Sequence, residues 1–472
     1  MAEPVPTAAA TAEAAPWGTA REMNALETLM WRAEADPRMS ATTVAVEILD
    51  SVPDWDRLVA AHDWGTRYVT RARERVLEPS WPLAPTWVVD EHFDLSYHLR
   101  RVVLPAPGGM AQLLELAQTF AMTPFDRNRP PWEAMLVEGL DGGDHPRAGY
   151  LVKMHHSLTD GMGGIQLLTL LHSRTPEHNP DKPQVPAPVA LPVGRTDVFA
   201  DQVGRRLADA SRAAGRLAGG ALGLLTRPER AVGFARSLQR VLGSPPAPGS
   251  PLLAERSLAW RFAVHEVPLA SLKAAAKAAG GSINDAFLAA LLGAFRLYHA
   301  ELGAPVDVLP IAFPISLRAD EHAAGGNRFA GARMAGPVGE ADPAERIRLV
   351  REFVLTARAE PAGDALNLLA PVLVALPGAV IGQLSGALTG SNDLQASNIR
   401  GVGHAVYQSG ARVTHLFPFG PRPNIPAMIT MVSHDGTCCI GANLDPAAIT
   451  DVDLFAQCLR DGFAEVLAIT EG

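Results

Sequence analysis

His155 and His156 stand side by side in the stretch His155-His156-Ser157-Leu158-Thr159-Asp160-Gly161, and these are the residues best suited to chemistry. A neutral imidazole, with a pKa of about 6.5, can take a proton from an alcohol near neutral pH. Asp160 is placed to cap the helix that follows or to pair with an arginine. Side chains alternate across a strand, so two adjacent histidines at a strand end are expected to face opposite ways, which argues against both holding one metal ion. The spacing is not that of a helical His-Glu-x-x-His site, and no cysteine lies nearby. No Gly-x-Ser-x-Gly elbow is present, so a serine hydrolase is not indicated. The chemistry that fits is direct attack of an activated alcohol on an activated acyl group.

Elements must deliver these residues. The short apolar run 149–154 reads as a strand ending at the histidines, 157–161 as a tight turn, and the segment from Met162 as a helix. Upstream, 23–31 reads as helix, 42–49 alternates as a strand, 109–120 has helical spacing and 131–139 is strand-like. Further on, 260–267 reads as a strand, 269–279 as a helix stopped at Gly280-Gly281, 283–300 as a strong helix and 306–315 as a strand, with several strands after Arg412. This mixed order predicts an α/β or α+β fold rather than a helical bundle. Two proline-rich stretches, 175–194 and 243–251, mark linkers. The chain therefore divides into a disordered leader (1–18), a first compact region (19–174), a crossover (175–254) and a second compact region (255–472).

Composition narrows the function classes. The 472 residues are 47% apolar and only 19% charged, with a formal net charge of −9. That excludes whole-chain disorder and leaves apolar material for a lipid-facing cavity. It also speaks against general nucleic-acid binding. Cys438, Cys439 and Cys458 form neither a disulfide framework nor a zinc set. The leader lacks the pattern of a secretory signal. Residues 201–240 carry eight arginines against three acidic residues at helical apolar spacing, a basic amphipathic segment suited to an anionic membrane surface. Between Asp364 and Asp393 lie 28 uncharged residues. Pro371 and Pro377 break that run into two short apolar helices, read as core, tunnel wall or shallow membrane contact.

The His155–Gly161 stretch resembles the His-His-x-x-x-Asp-Gly motif of thioester-dependent acyltransferases, a group that includes chloramphenicol acetyltransferase and peptide-synthetase condensation domains. Phe93-Asp94-Leu95-Ser96-Tyr97-His98-Leu99-Arg100, Pro131-Trp132-Glu133, Asn284-Asp285, Pro314-Ile315-Ser316-Leu317-Arg318 and Ser397-Asn398 follow in an order similar to that of the bacterial wax ester synthase/acyl-CoA:diacylglycerol acyltransferase family, over about residues 21–468.

The resemblance implies two chloramphenicol-acetyltransferase-like α/β subdomains joined by a crossover, with an active-site tunnel at their interface. It implies that His156 is the general base and His155 a supporting residue. Asp160 would be structural, with Arg318 as its expected partner. Asn284 would stabilise the oxyanion, its bland reading being a helix cap. Gly161, Ser316 and Asp285 would support the site, while Pro131, Trp132, Ser397 and Asn398 would contact substrate. Acyl-CoA would be a substrate, with diacylglycerol or a fatty alcohol as acceptor. No metal or bound organic cofactor is implied. The protein would be cytoplasmic, peripheral to the membrane or lipid bodies. Two other readings compete: a condensation-type enzyme using a carrier-protein thioester, and a non-enzymatic lipid-binding protein. Departures from the family pattern include Pro131 where leucine is common before the tryptophan, and Ile399-Arg400 where Val-Pro is usual.

Overall fold

The computed structural model describes residues 20–79, 83–143, 145–159, 161–179, 182–204, 247–315, 330–358 and 376–470. Two six-stranded sheets organise it. The first runs in the order β11 (Tyr407–Gln408), β12 (Ala411–Phe419), β1 (Thr42–Leu49), β6 (Arg147–His155), β5 (Trp132–Leu140) and β4 (Leu99–Val103). The second runs β7 (Arg261–Pro268), β14 (Thr437–Leu444), β13 (Ala427–His434), β10 (Leu394–Ile399), β8 (Val308–Ile315) and β9 (Ala330–Pro337). A small hairpin, β2 (Glu74–Leu77) with β3 (Thr86–Val89), sits apart.

The expected α/β class and most elements agree with the sequence. The strand expected over 42–49 is β1, and the runs before the histidines are β5 and β6. Around them stand α1 (Ala25–Ala33), α2 (Trp55–Tyr68), α3 (Leu95–His98), α4 (Met110–Met122) and α5 (Gly161–Leu171). Asn24 and Glu27 close a reciprocal capping box on α1, and Asp54 caps α2. The two faces of the first sheet bury different partners. Val46, Leu151 and Val137 pack toward α4 and the second sheet, whereas Leu49, Tyr150, Val152 and Leu136 pack toward α2 and α5. This alternation is the period of a strand buried on both sides.

In the second half, α6 (Leu269–Ala278) and α7 (Ile283–Glu301) precede β8, α8 (Pro343–Arg358) follows β9, and α10 (Val452–Leu467) ends the domain. Helix α7 lies in the core, with Phe287, Leu291 and Phe295 fully buried. Of the expected apolar helix pair, the second is α9 (Gly378–Thr389), and residues 359–375 lie outside the described set. The basic segment falls mostly within 205–246, also outside it. No single described helix is long and apolar enough to cross a membrane.

The division at 255 is not a clean cut in space. Strands β11 and β12, from the C-terminal region, pair into the first sheet, where Val44 is registered with Phe419. Phe419 also stacks on Phe262 of β7, with ring centroids 3.9 Å apart, so one core continues across both sheets. No local periodicity announces such a pairing, because it joins residues distant in the chain.

Candidate active site

Strand β6 ends at His155, and His156 is the first residue of the turn that leads to α5. Backbone bonds fix both. His155 N–H donates to Pro131 O at 3.0 Å, and His156 N–H donates to Ala41 O at 2.8 Å. His155 is 1% exposed, while His156 is half-buried. The His155 ring makes edge contacts with Trp31, at 5.0 Å, and Phe125, at 6.2 Å. Its Nδ1 accepts the Ser157 backbone N–H at 3.1 Å and stands 2.7 Å from Ser157 Oγ. An amide can only donate, so the neutral ring carries its proton on Nε2. That nitrogen is 3.3 Å from Glu34 Oε1.

Glu34 was not singled out by sequence reasoning. It accepts the Ala41 N–H at 2.9 Å and meets Arg127 Nη2 at 3.2 Å. Burial pushes its carboxyl up, but the His155 contact, the Ala41 N–H and Arg127 outweigh that and hold it below the usual carboxylate range. Arg127 also stacks over Trp31, 4.5 Å from the ring centroid. Glu34 lies just past α1 and carries no motif signal of its own.

The motif residues upstream assemble beside the histidines. His98 donates from Nδ1 to Trp132 O at 2.7 Å and stacks on the Trp132 ring at 4.7 Å. Burial pushes the His98 imidazole pKa down, against the pull of that carbonyl. Glu133 bridges Arg100 at 3.0 Å and the fully buried Lys153 at 2.7 Å. Lys153 also lies 4.6 Å from the Phe120 and Phe125 ring centroids, and burial lowers its pKa despite Glu133. Pro131 is buried and acts through its carbonyl. Trp132 donates from Nε1 to Ala72 O at 2.7 Å and lines a cavity.

That cavity, of about 70 Å³, lies between α2, α5 and the α5-facing side of the first sheet. Its walls are apolar: Val69, Trp132, Ala134, Val152, Met154, Leu158 and Leu168 are among them. It reaches from Met154 and Leu158, which flank the histidines, down to Tyr150 and His62. Met154 to Tyr150 is four residues of strand, or ~13 Å at ~3.3 Å per residue. The polar atoms at the floor satisfy each other. His62 Nδ1 donates to Leu58 O at 2.7 Å, and Tyr150 O–H donates to His62 Nε2. Burial drives the His62 pKa down to about 4 and the Tyr150 pKa well above its ordinary value. Both groups are therefore neutral near pH 7.

The second half reaches the same place through β10. A Cβ on Gly161 would stand 2.5 Å from Ile399 Cδ1, so the start of α5 packs directly on β10. Ser397 shares the side of β10 that carries Ile399 and is half-buried, while Asn398 is exposed. Asn284 sits in the first turn of α7 and is half-buried, but the cap of that helix is Ser282, not Asn284. Asp285 completes the capping box with Ser282 and pairs with Arg351 at 3.3 Å. It fixes the start of α7 from within the second half. Asp160, Ser316 and Arg318 lie outside the described residues. Among the described residues, no cluster of three or more His, Cys, Asp or Glu could hold a metal ion.

Comparison with known proteins finds relatives over most of the chain. Residues 21–287 match the wax ester synthase/diacylglycerol acyltransferase catalytic domain, and residues 325–466 match the corresponding C-terminal domain. A Mycobacterium tuberculosis H37Rv protein named as a diacylglycerol O-acyltransferase is 39% identical over 462 residues, covering 96% of this chain and 92% of its own. A second relative in that organism, with the same named activity, is 32% identical over 75% of this chain and 77% of its own. Among solved structures, the wax ester synthase/diacylglycerol acyltransferase of Marinobacter aquaeolei VT8 superposes with a TM-score of 0.64 at 21% identity, covering 94% of this chain and 98% of that one. The first condensation domain of the calcium-dependent antibiotic synthetase gives 0.61 at 16% identity, covering 96% and 97%. At these identities the structural likenesses speak to fold alone. The chain belongs to the wax ester synthase/diacylglycerol acyltransferase family, and it is an O-acyltransferase.

Proposed function

We propose that this acyltransferase moves a fatty acyl group from acyl-CoA to diacylglycerol, and to long-chain alcohols, with His156 as the general base. His156 removes the acceptor hydroxyl proton as the oxygen attacks the thioester carbon. The carbon–sulfur bond then breaks, and the imidazolium returns the proton to the departing sulfur. The products are an ester and CoA. Asn284 is assigned the oxyanion and Trp132 the substrate chain. Neither a metal nor an organic cofactor enters these steps.

The observation that carries this reading is the apolar cavity beside the histidine turn. A hydrocarbon chain entering it leaves water for apolar walls, a gain of about 0.8 kcal/mol per buried methylene, and leaves the buried hydroxyl and imidazole paired. We assign this cavity to the acyl chain of the donor.

Contact with a lipid surface is part of the same proposal. Helix α9 carries no charged residue and turns Val380 (38% exposed) and Leu384 (50%) outward, while Ile381 is buried beneath them. Such a face fits shallow docking on a membrane or lipid body from the cytoplasmic side.

The deciding experiment gives purified enzyme labelled acyl-CoA with dioleoylglycerol and a long-chain alcohol in competition. Triacylglycerol and wax ester are expected. Ester formation that requires an acyl carrier protein would replace the proposed donor. Substituting Val380 and Leu384 by glutamate should reduce co-sedimentation with lipid vesicles, and unchanged sedimentation removes α9 from the docking surface.

A further inference from the structure

Glu34 joins two segments that converge on the histidines. One oxygen of its carboxylate accepts the Ala41 N–H at 2.9 Å and also lies 3.3 Å from His155 Nε2. Ala41 in turn accepts the His156 N–H at 2.8 Å through its own carbonyl. One side chain thus stands against the ring of the first histidine, within ion-pair distance of its outer nitrogen, and reaches the backbone of the second through a single intervening residue. The contact is closed from outside. Arg127 holds the other carboxylate oxygen at 3.2 Å, donates to Trp31 O at 3.2 Å and covers the Trp31 ring, whose edge contacts His155. Glu34 is only partly accessible, with 19% of its side chain exposed, whereas Arg127 has 47% exposed.

We propose that Glu34 is the positioning residue of the histidine pair, setting the His155 ring and the start of the His156 turn so that the base meets the acceptor hydroxyl. This rests on His156 being the base. The argument is geometric. Ser157 holds one nitrogen of His155 and the Glu34 carboxylate faces the other, so a turn of the ring would give up both contacts. The same carboxylate oxygen sets Ala41, the residue that leads into β1, and with it the β1–β6 end where Thr42 is registered with His155. A displacement of about 1 Å at a reacting group costs ~10²-fold in rate.

The test compares E34Q, E34D and E34A by kcat, KM and thermal midpoint in the full chain. Glutamine keeps an oxygen at the same reach, able to accept from Ala41 and His155, and should retain kcat within about fivefold. Aspartate keeps the charge but withdraws it by about 1.5 Å, one carbon–carbon bond. It should lose about 10²-fold in kcat with KM nearly unchanged, although the protein remains folded. Alanine should lose at least as much. If E34A does not fold, the contrast between E34Q and E34D still decides the matter. Wild-type kcat in E34D, or equal damage in E34Q and E34D, overturns the proposal. A fall in activity that tracks only the folded fraction overturns it as well. H156A is run beside them. If H156A is active, the general-base reading fails. If H156A is inactive while E34D is normal, only the role of Glu34 fails.

Discussion

Ile399 Cδ1 lies 2.5 Å from where a β-carbon on Gly161 would stand. The first residue of α5 and a strand from the other half of the chain therefore touch so closely that one more methyl group would push the tip of the Ile399 side chain aside. Gly161→Ala should destabilise the protein by about 1 kcal/mol through overpacking and should disturb the adjacent turn. Ile399→Val removes Cδ1 and should restore most of the thermal midpoint and rate lost in G161A. A double variant no better than G161A would place the conflict elsewhere.

His156→Ala should lower kcat by about 10²–10⁴-fold, the range for loss of a general base, with little change in thermal midpoint because the residue is half-buried in a turn. Single-turnover ester formation from labelled donor measures this. Full ester synthesis by purified H156A is incompatible with the assigned base.

Ala134 lies on the cavity wall and is 1% exposed. Ala134→Ile places added methylenes into the void and should lower kcat/KM for long-chain donors by about tenfold relative to short-chain donors, as pocket volume typically discriminates chain length. An unchanged ratio across donor lengths removes the cavity from the acyl path.

The buried pair of Lys153 and Glu133 lies beneath His155 on the same side of the sheet. Glu133→Ala leaves Lys153 in a dry site and should cost about 3–5 kcal/mol, read as a lowered denaturation midpoint. A shift of less than about 1 kcal/mol would mean that the carbonyl of Thr123 and the two phenyl rings suffice for the ammonium.

Acid should expose the state of His62. The unfolded chain takes a proton near about 6.5, whereas the folded protein resists until about 4. Stability is therefore full above the unfolded value and falls as pH drops toward the folded one, by up to ~3 kcal/mol. Between pH 7 and 5 the thermal midpoint of the wild type should fall more steeply than that of H62Q. His265, also held at about 4 by burial, titrates in both proteins and cancels. Parallel slopes would mean that His62 is not buried in its neutral form.

Much of this architecture is written in local pattern. The alternation of Thr42–Leu49, the apolar runs that become β5 and β6, and the long apolar repeat of Ile283–Glu301 each reveal their element because burial imposes a period on the chain. The His155–Gly161 stretch was legible because its residue types are unusual together. Glu34, Arg127, His62 and Tyr150 were not. Each is unremarkable beside its chain neighbours, and its role comes from a partner far along the sequence: Arg127 and His155 for Glu34, Tyr150 for His62. The departure at Ile399-Arg400 stood out in the sequence, but its contact with Gly161 did not.

The position of β12 between β11 and β1 has a consequence in time. On the ribosome β1 emerges early, but the strand that flanks it is made near the end of synthesis, with Val44 waiting for Phe419. Until then one long side of β1 is bare on the nascent chain, ready to mispair with a second copy. The first half is therefore not a self-sufficient product, because its sheet lacks β11 and β12. A chain released before Ala411 should aggregate, and an N-terminal fragment ending at the crossover should become soluble only when made together with the C-terminal one.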